Sequence, residues 1–318
     1  MSGPMLDIAL LLISVGLLWK GADWVVFAAA RMASRFGLSH IVIGMTVVAI
    51  GTSAPEMVVT LVAAFGGHSE IAVANVVGSN IFNLGFILGG CAVLRTIPTS
   101  GLLVRRDTAM LLLSSALLVV FFIGDLRLGP VEGLVMMGLL AGYVLYLLRR
   151  KEEVDEELDA DDVPEGRASF WDYPLLLAGL AAVIGGAHLL VIDAQRLALM
   201  LGLSQWAIGI TIVAGGTSLP ELATSLAAVK RGHPGIVAGN LIGSDLFNML
   251  GVLGLAAVMK PLHIHATAVP SLFMMTGMVL MVMVFMRTGW RLTRAEGLFL
   301  MLLAVVRWSR DLVPGFWS

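Results

Sequence analysis

Apolar stretches of about twenty residues recur along almost the whole chain of 318 residues. A helix needs roughly 20 mostly apolar residues to cross a bilayer, so this pattern predicts a membrane protein built from helices. The expected spans are 5–28, 41–65, 70–94, 107–124, 130–148, 172–192, 206–229, 235–259, 267–286 and 295–313. Only 13% of the residues are charged, against about 25% in a soluble domain. A soluble enzyme or a nucleic-acid-binding protein is therefore a poor expectation.

Positive charges indicate how these spans are oriented. Fourteen Lys and Arg residues fall in the loops expected on one side of the membrane and five in the loops on the other, with Lys20 inside the first span. The positive-inside rule assigns the richer side to the cytoplasm. We therefore expect a multi-pass protein of the cell (inner) membrane with both termini outside. An acidic linker over residues 149–171 would then be cytoplasmic.

Two segments of the chain are similar to each other at a fixed offset of 165 residues. Residues 44–89 align without a gap with residues 209–254, and 21 of the 46 pairs are identical. Five expected spans separate equivalent positions, and an odd number turns the second copy over relative to the membrane. The sequence thus predicts an all-α integral membrane protein of about ten transmembrane helices, arranged as inverted five-helix repeats over 1–148 and 172–318. That architecture is typical of secondary transporters, although some channels share it.

Each copy contains the motif Gly-Thr-Ser-x-Pro-Glu in the middle of an apolar span, at residues 51–56 and 216–221. Proline has no amide donor and interrupts a helix, and paired interruptions in two halves point to a transporter binding site. We expect the interruptions to free backbone carbonyls near Ala49 and Ala214 to serve as ligands.

A glutamate at that depth is expensive and usually marks the path of an ion or a proton. The structural alternative is that Glu56 and Glu221 only pack helices, either protonated or paired with buried cations. Lys20, the one cationic residue deep in an expected span, can satisfy at most one of them. The two glutamates therefore predict a space that attracts positive charge.

A second motif supplies neutral oxygens. Residues 78–83 read Gly-Ser-Asn-Ile-Phe-Asn, and residues 243–248 read Gly-Ser-Asp-Leu-Phe-Asn. The serine and the last asparagine of each motif are four residues apart and share a helical face. Such residues also join helices by hydrogen bonds, but together with the first motif they form a set of hard oxygen donors, which suits Na⁺ and Ca²⁺. Asp245 faces either this set or a neighbouring helix.

Both motifs in both copies closely resemble the α-repeats of the calcium/cation antiporter superfamily, in particular the sodium/calcium exchangers. With no large cytoplasmic insert, the chain looks like a compact prokaryotic member. The ion-binding positions of that family fall on Ala49, Thr52, Ser53, Glu56, Ser79, Asn83, Ala214, Thr217, Ser218, Glu221, Ser244 and Asn248. Some relatives, including potassium-dependent ones, have an aspartate at the position of Asn248.

The resemblance implies a secondary antiporter that exchanges Na⁺ for Ca²⁺ and needs no cofactor. Its expected partners are inorganic cations and the lipid bilayer, with no nucleic acid and no obligate protein partner. Exchange of H⁺ for Ca²⁺ is the first alternative, because a glutamate inside the membrane can carry a proton. A passive cation channel is a remote one. Neither a Gly-x-Ser-x-Gly nor a P-loop motif occurs in the sequence, so we expect no enzymatic activity.

Overall fold

A computed structural model describes residues 4–36, 39–149, 169–200 and 214–312, and almost all of this part of the chain is helical. The helices are α1 (Pro4–Phe36), α2 (His40–Thr52), α3 (Ala54–Phe65), α4 (Ser69–Leu94), α5 (Leu103–Asp125), α6 (Pro130–Arg149), α7 (Asp172–Met200), α8 (Ala214–Thr217), α9 (Leu219–Arg231), α10 (Pro234–Met259), α11 (Val269–Arg287) and α12 (Arg294–Leu312). Seven of them contain a segment long and apolar enough to cross a membrane, and the bent pair α2–α3 makes an eighth. The chain is therefore a helical, multi-pass membrane protein, as predicted.

Every expected span overlaps one of these helices. Residues 206–213 of the seventh span lie outside the described residues, as do residues 150–168 of the acidic linker. The number of ten spans, the inverted arrangement of the halves and the division into domains remain predictions. Neither α12 nor the pair α8–α9 is among the candidate spans found over the described residues.

Four two-residue strands, which the sequence did not predict, connect the ends of helices. β1 (Ile97–Pro98) pairs antiparallel with β4 (Arg291–Leu292), and β2 (Arg127–Leu128) pairs with β3 (Leu262–His263). Backbone groups between helices need hydrogen-bond partners, and these ladders supply some of them. Each ladder ties a connection in the first half of the chain to one in the second.

Helices α2 and α3 meet at an angle of 48° because the chain changes direction at Ser53. Ser53 has ψ +8°, and Pro55, at the second position of α3, has no amide to continue the hydrogen bonds of α2. Ser218 has the same ψ between α8 and α9, where Pro220 occupies the corresponding position. The two hexad motifs thus produce two similar breaks, as predicted.

Helices α4 and α10 lie deepest in the bundle. Each widens into a π-helical turn, over Asn83–Leu88 in α4 and over Phe247–Leu253 in α10. Such turns occur frequently at functional sites. The extra residue in the turn rotates the side chains after it around the helix axis relative to the side chains before it. Here the turns begin at or beside the asparagines that close the second motif.

Glycines allow several helices to approach closely. A Cβ atom added to Gly89 of α4 would lie 2.7 Å from the carbonyl oxygen of Gly297 in α12. One added to Gly21 of α1 would lie 2.8 Å from the carbonyl oxygen of Gly179 in α7. Small residues at helix crossings are typical of membrane bundles, where close backbone packing replaces the hydrophobic effect.

Candidate ion-binding site

Glu56 and Glu221 are fully buried, each in the first turn of the helix that follows a break. Each accepts a hydrogen bond from the serine at the break in the other half of the chain. The Ser218 hydroxyl donates to Oε1 of Glu56 at 3.0 Å, and the Ser53 hydroxyl donates to Oε1 of Glu221 at 3.0 Å. The two hexad motifs therefore meet in the middle of the bundle.

The second oxygen of each glutamate, Oε2, is buried and has no hydrogen-bond donor among the described residues. In this part of the chain neither glutamate forms an ion pair with Lys, Arg or His. The structural alternative of pairing with buried cations, Lys20 included, therefore has no support here. A buried carboxylate without a partner is costly, so the surroundings of these two oxygens favour a bound cation or a proton.

Hydroxyl groups from both motifs line the same region. The Oγ1 atom of Thr52 lies 3.5 Å from Oγ of Ser244, and Oγ of Ser79 lies 3.5 Å from Oγ1 of Thr217. Ser244 also donates to Oε1 of Glu221 at 3.3 Å. All four hydroxyl residues are buried, and they connect each hexad motif to the second motif of the other half.

The two closing asparagines direct their amide nitrogens toward neighbours and leave their oxygens unpaired. Asn83 donates from Nδ2 to Oδ1 of Asp245 at 2.9 Å, and Asn248 donates from Nδ2 to Oδ1 of Asn80 at 3.3 Å. The Oδ1 atoms of Asn83 and Asn248 have no donor among the described residues. With the two glutamates, four of the predicted site residues thus present buried, unpaired oxygens.

Asp245 is fully buried and is directed at α4 of the first half. Its Oδ1 accepts from Asn83, its backbone carbonyl accepts from Nδ2 of Asn80 at 3.3 Å, and its Oδ2 has no donor among the described residues. It therefore contacts a predicted site residue and adds a fifth unpaired oxygen. Both readings of the sequence apply, because the side chain faces the site region and also joins two helices.

The break leaves the Ala49 carbonyl inside the hydrogen-bonded helix, and a ligand role for it stays a prediction. That carbonyl accepts the backbone amide of Ser53 at 3.0 Å and thus keeps its helical hydrogen bond. The Gly51 carbonyl also accepts a backbone amide at the end of this helix, so neither of these two carbonyls is left without a donor at the break. Ala214 is the first residue of α8, and its side chain lies outside the described part.

Two buried asparagines that the sequence analysis did not select also contact the site. Oδ1 of Asn240 accepts from the Thr52 hydroxyl at 3.2 Å, while its Nδ2 donates to Thr224 at 3.1 Å. Asn75, its counterpart at the 165-residue offset, donates to the backbone carbonyl of Glu56 at 3.4 Å and to Thr60 at 3.1 Å. Their identity across the two copies of the repeat was the signal that could have found them.

The donor set consists of oxygens only. In the described residues no group of three or more His, Cys, Asp and Glu side chains is arranged to hold a metal ion. An ion bound here would therefore need hydroxyl and amide oxygens besides the two glutamates. Na⁺ and Ca²⁺ accept such ligands, whereas zinc and copper favour nitrogen and sulfur.

A buried cluster of acidic and neutral oxygens inside a helical membrane protein is typical of cation transporters. The family described as "Sodium/calcium exchanger protein" matches residues 6–149 and 171–307. The chain therefore belongs to this family of cation antiporters, which confirms the resemblance seen in its motifs. Because its members are secondary transporters, the expectation that the chain is not an enzyme is also confirmed.

Similar proteins match over nearly their whole length. The "Putative antiporter CaxA" of Alkalimonas amylolytica is 35% identical over 93% of this chain and 96% of its own. The "Sodium/calcium exchanger MaX1" of Methanosarcina acetivorans is 32% identical over 95% of this chain and 97% of its own. A solved structure of the sodium-calcium exchanger NCX_Mj, soaked with Na⁺ and Sr²⁺, has a TM-score of 0.84 and 31% identity, covering 96% of this chain and 98% of that one.

Proposed function

We propose that this chain is a secondary active antiporter that exchanges Na⁺ for Ca²⁺ across the cell membrane by alternating access. The observation that carries the proposal is the group of five buried oxygens without a donor among the described residues, on Glu56, Asn83, Glu221, Asp245 and Asn248. Ca²⁺ takes six to eight oxygen ligands in proteins, and the hydroxyl groups beside these five atoms extend the set. The relatives described as sodium/calcium exchangers point to the same pair of ions.

In this proposal the ions are held by the polar residues of the four motifs and by backbone oxygens at the breaks. The proposed ligands are Ala49, Thr52, Ser53, Glu56, Ser79, Asn83, Ala214, Thr217, Ser218, Glu221, Ser244 and Asn248. The ligand from Ala49 would be the second lone pair of its carbonyl oxygen, since the first accepts the Ser53 amide. Asp245 lies beside this set through its hydrogen bond with Asn83.

Charge balance determines which ions exclude each other. Two ionised glutamates carry a charge of −2, which one Ca²⁺ or two Na⁺ neutralise. A site that shares both carboxylates between these loads cannot hold them together, and this exclusion couples the two fluxes. A third Na⁺ at the neutral oxygens makes the exchange electrogenic.

Alternating access requires two halves that exchange roles. Its support is the reciprocity of the contacts: Ser53 with Glu221 and Ser218 with Glu56 are the same pair at the 165-residue offset. Thr52 with Ser244 and Thr217 with Ser79 form a second such pair. These contacts support two inverted five-helix repeats around the site.

Helices α1 and α7 are the proposed sliding elements. They pack along each other and also contact the helices of the breaks, α1 on α2 and α9, α7 on α8 and α9. Neither contains a motif residue, so their movement can open a path to the site while its ligands stay in place. Loaded sites would permit this movement and the unloaded site would resist it, because otherwise Na⁺ would leak.

The proposed orientation has both termini outside the cell and residues 149–171 in the cytoplasm. The distribution of Lys and Arg supports it, with 14 on the side of the linker and 5 on the other. The proposed location is the cell (inner) membrane.

Exchange of H⁺ for Ca²⁺ is the second candidate, and Asp245 favours it. Three buried carboxyl groups exceed the charge of one Ca²⁺, and the Oδ2 atom of Asp245 has no donor in the described part. A passive channel has less support, because breaks in both halves suit a site that opens alternately better than a fixed filter.

Equilibrium binding of ⁴⁵Ca²⁺ to the purified full-length protein tests the proposal. We expect Na⁺ to displace Ca²⁺ with a Hill coefficient above about 1, because at least two Na⁺ replace one Ca²⁺. Choline at equal ionic strength is the control and should displace none. Ca²⁺ binding that is insensitive to Na⁺ but released by lowering the pH would contradict Na⁺ exchange and favour the second candidate.

A further inference from the structure

A groove between α5 and α11 opens among arginines at one end of the bundle. It has a volume of about 410 Å³ and is lined mainly by Val104, Arg105, Ala109, Met283, Val284 and Arg287. Both arginines are exposed, whereas the other lining residues are apolar except for Thr288. The groove therefore fits a ligand with an apolar portion and an anionic end.

The surroundings of this opening are strongly basic. Residues 95–107 and 287–296 together contain six arginines and two acids, and the ladder of β1 and β4 holds the two segments together. Arg106 pairs with Asp107, and Glu296 accepts from Thr293 at 2.7 Å. The other five arginines form no ion pair among the described residues: Arg95, Arg105, Arg287, Arg291 and Arg294.

Trp290 fixes the position of one of the groove arginines. The Arg287 guanidinium lies 4.4 Å from the centre of the Trp290 ring, and the Trp290 carbonyl accepts the Thr99 amide at 2.9 Å. Stacking occupies the face of a guanidinium and leaves its N–H edge available, and that edge matches the oxygens of a phosphate group. Tryptophan is enriched at the level of the lipid headgroups, which agrees with a phosphate at this height.

We propose that the groove binds an anionic phospholipid, with its phosphate at Arg105 and Arg287 and one acyl chain along Val104, Met283 and Val284. The apolar surface continues beside the groove, where Leu102 and Leu280 are 40% and 46% exposed. This continuity with the lipid-facing surface favours a phospholipid over a free anion. Basic pockets between transmembrane helices bind anionic headgroups in this way. The site is separate from the buried acids and does not depend on the proposed exchange.

Native mass spectrometry of the full-length protein in detergent tests the headgroup contact. The probes are phosphatidylglycerol, phosphatidylcholine with the same chains, and inorganic phosphate. We expect phosphatidylglycerol to bind most tightly, and Arg105→Gln/Arg287→Gln to weaken it about fivefold for each charge removed. Arg127→Gln/Lys260→Gln makes the same charge change away from the groove and should leave binding unchanged.

A second variant tests the acyl chain without changing the charge. Ala109→Phe fills the groove and should abolish the preference for phosphatidylglycerol, with thermal unfolding used to show that the bundle still folds. Equal binding of the two lipids, equal losses in the two double variants, or normal binding by Ala109→Phe would each overturn the proposal. Inorganic phosphate that binds as tightly as phosphatidylglycerol would reduce the site to an anion site and overturn it as well.

Discussion

Each of the two buried glutamates accepts a hydrogen bond from a serine in the opposite half of the chain, at 3.0 Å in both cases. The sequence identified all four of these residues, because Glu and Ser are conspicuous inside apolar spans and recur at one offset. It did not identify which serine serves which glutamate. That pairing depends on how the halves pack, and no local pattern encodes it.

The first prediction concerns Glu56 and Glu221. We expect Glu56→Gln and Glu221→Gln each to lower the initial rate of Ca²⁺ exchange at least about 100-fold, because an uncompensated charge on a buried ion costs several kcal/mol. The measurement is ⁴⁵Ca²⁺ uptake into proteoliposomes. Glu132→Gln, on a carboxylate that accepts the amide of Gly129 outside the site region, is the matched control. Near-normal exchange by either site variant would refute the proposed site.

The second prediction concerns Asp245. Its Oδ1 atom holds Asn83, and its Oδ2 atom has no donor in the described part, so Asp245→Asn should weaken Ca²⁺ affinity about tenfold through loss of a nearby charge. Equilibrium ⁴⁵Ca²⁺ binding measures the effect, with Asp125→Asn at the exposed end of α5 as control. Unchanged affinity together with a lower melting temperature would assign Asp245 to helix packing alone.

At the scale of helices, the breaks were predictable and their detail was not. Pro55 and Pro220 have no amide and must interrupt a helix wherever they occur in its interior. The turn before the break stays helical through the hydrogen bond from the Ser53 amide to the Ala49 carbonyl. Whether this hydrogen bond forms depends on how neighbouring helices pack around α2. The π-helical turns in α4 and α10 likewise have no signature in the residues that form them.

The third prediction tests the close crossing of α4 and α12. A Cβ atom on Gly89 would meet the backbone oxygen of Gly297 at 2.7 Å, and a backbone atom cannot move aside as a side chain can. Gly89→Val should therefore destabilise the bundle by about 1–3 kcal/mol, the usual range for overpacking. Thermal unfolding in detergent measures the change. Gly142→Val is the control, because a Cβ atom there has open space around it, and an equal loss in both variants would contradict the crossing.

At the scale of the whole molecule, hydropathy and the 165-residue offset are sufficient to predict a helical membrane protein of two similar halves. Long apolar runs can only be buried in lipid or in protein, so this level of structure follows from composition. The contacts between Asn240 and Thr52 or between Asn83 and Asp245 were not predictable. Each joins residues more than 160 positions apart, and such pairs are fixed only by the complete bundle.

The fourth prediction is that exchange neither requires nor transports K⁺. Position 248 carries neutral Asn248, where potassium-dependent relatives have an aspartate, and two glutamates are already balanced by one Ca²⁺. A further K⁺ would be buried without compensation, at a cost of several kcal/mol. The measurement is Na⁺-driven Ca²⁺ uptake with K⁺ replaced by choline at a clamped voltage. Strict dependence on K⁺ would contradict the prediction and identify Asp245 as the acid that replaces the missing aspartate.

The most direct test of Na⁺/Ca²⁺ exchange uses one preparation of proteoliposomes under two gradients. ⁴⁵Ca²⁺ uptake is measured with Na⁺ inside and choline outside, and then with a pH gradient of equal driving force and no Na⁺. We predict rapid uptake under the Na⁺ gradient, none above background under the pH gradient, and loss of the Na⁺-driven uptake in Glu221→Gln. Uptake driven by the pH gradient but not by Na⁺ would contradict the account.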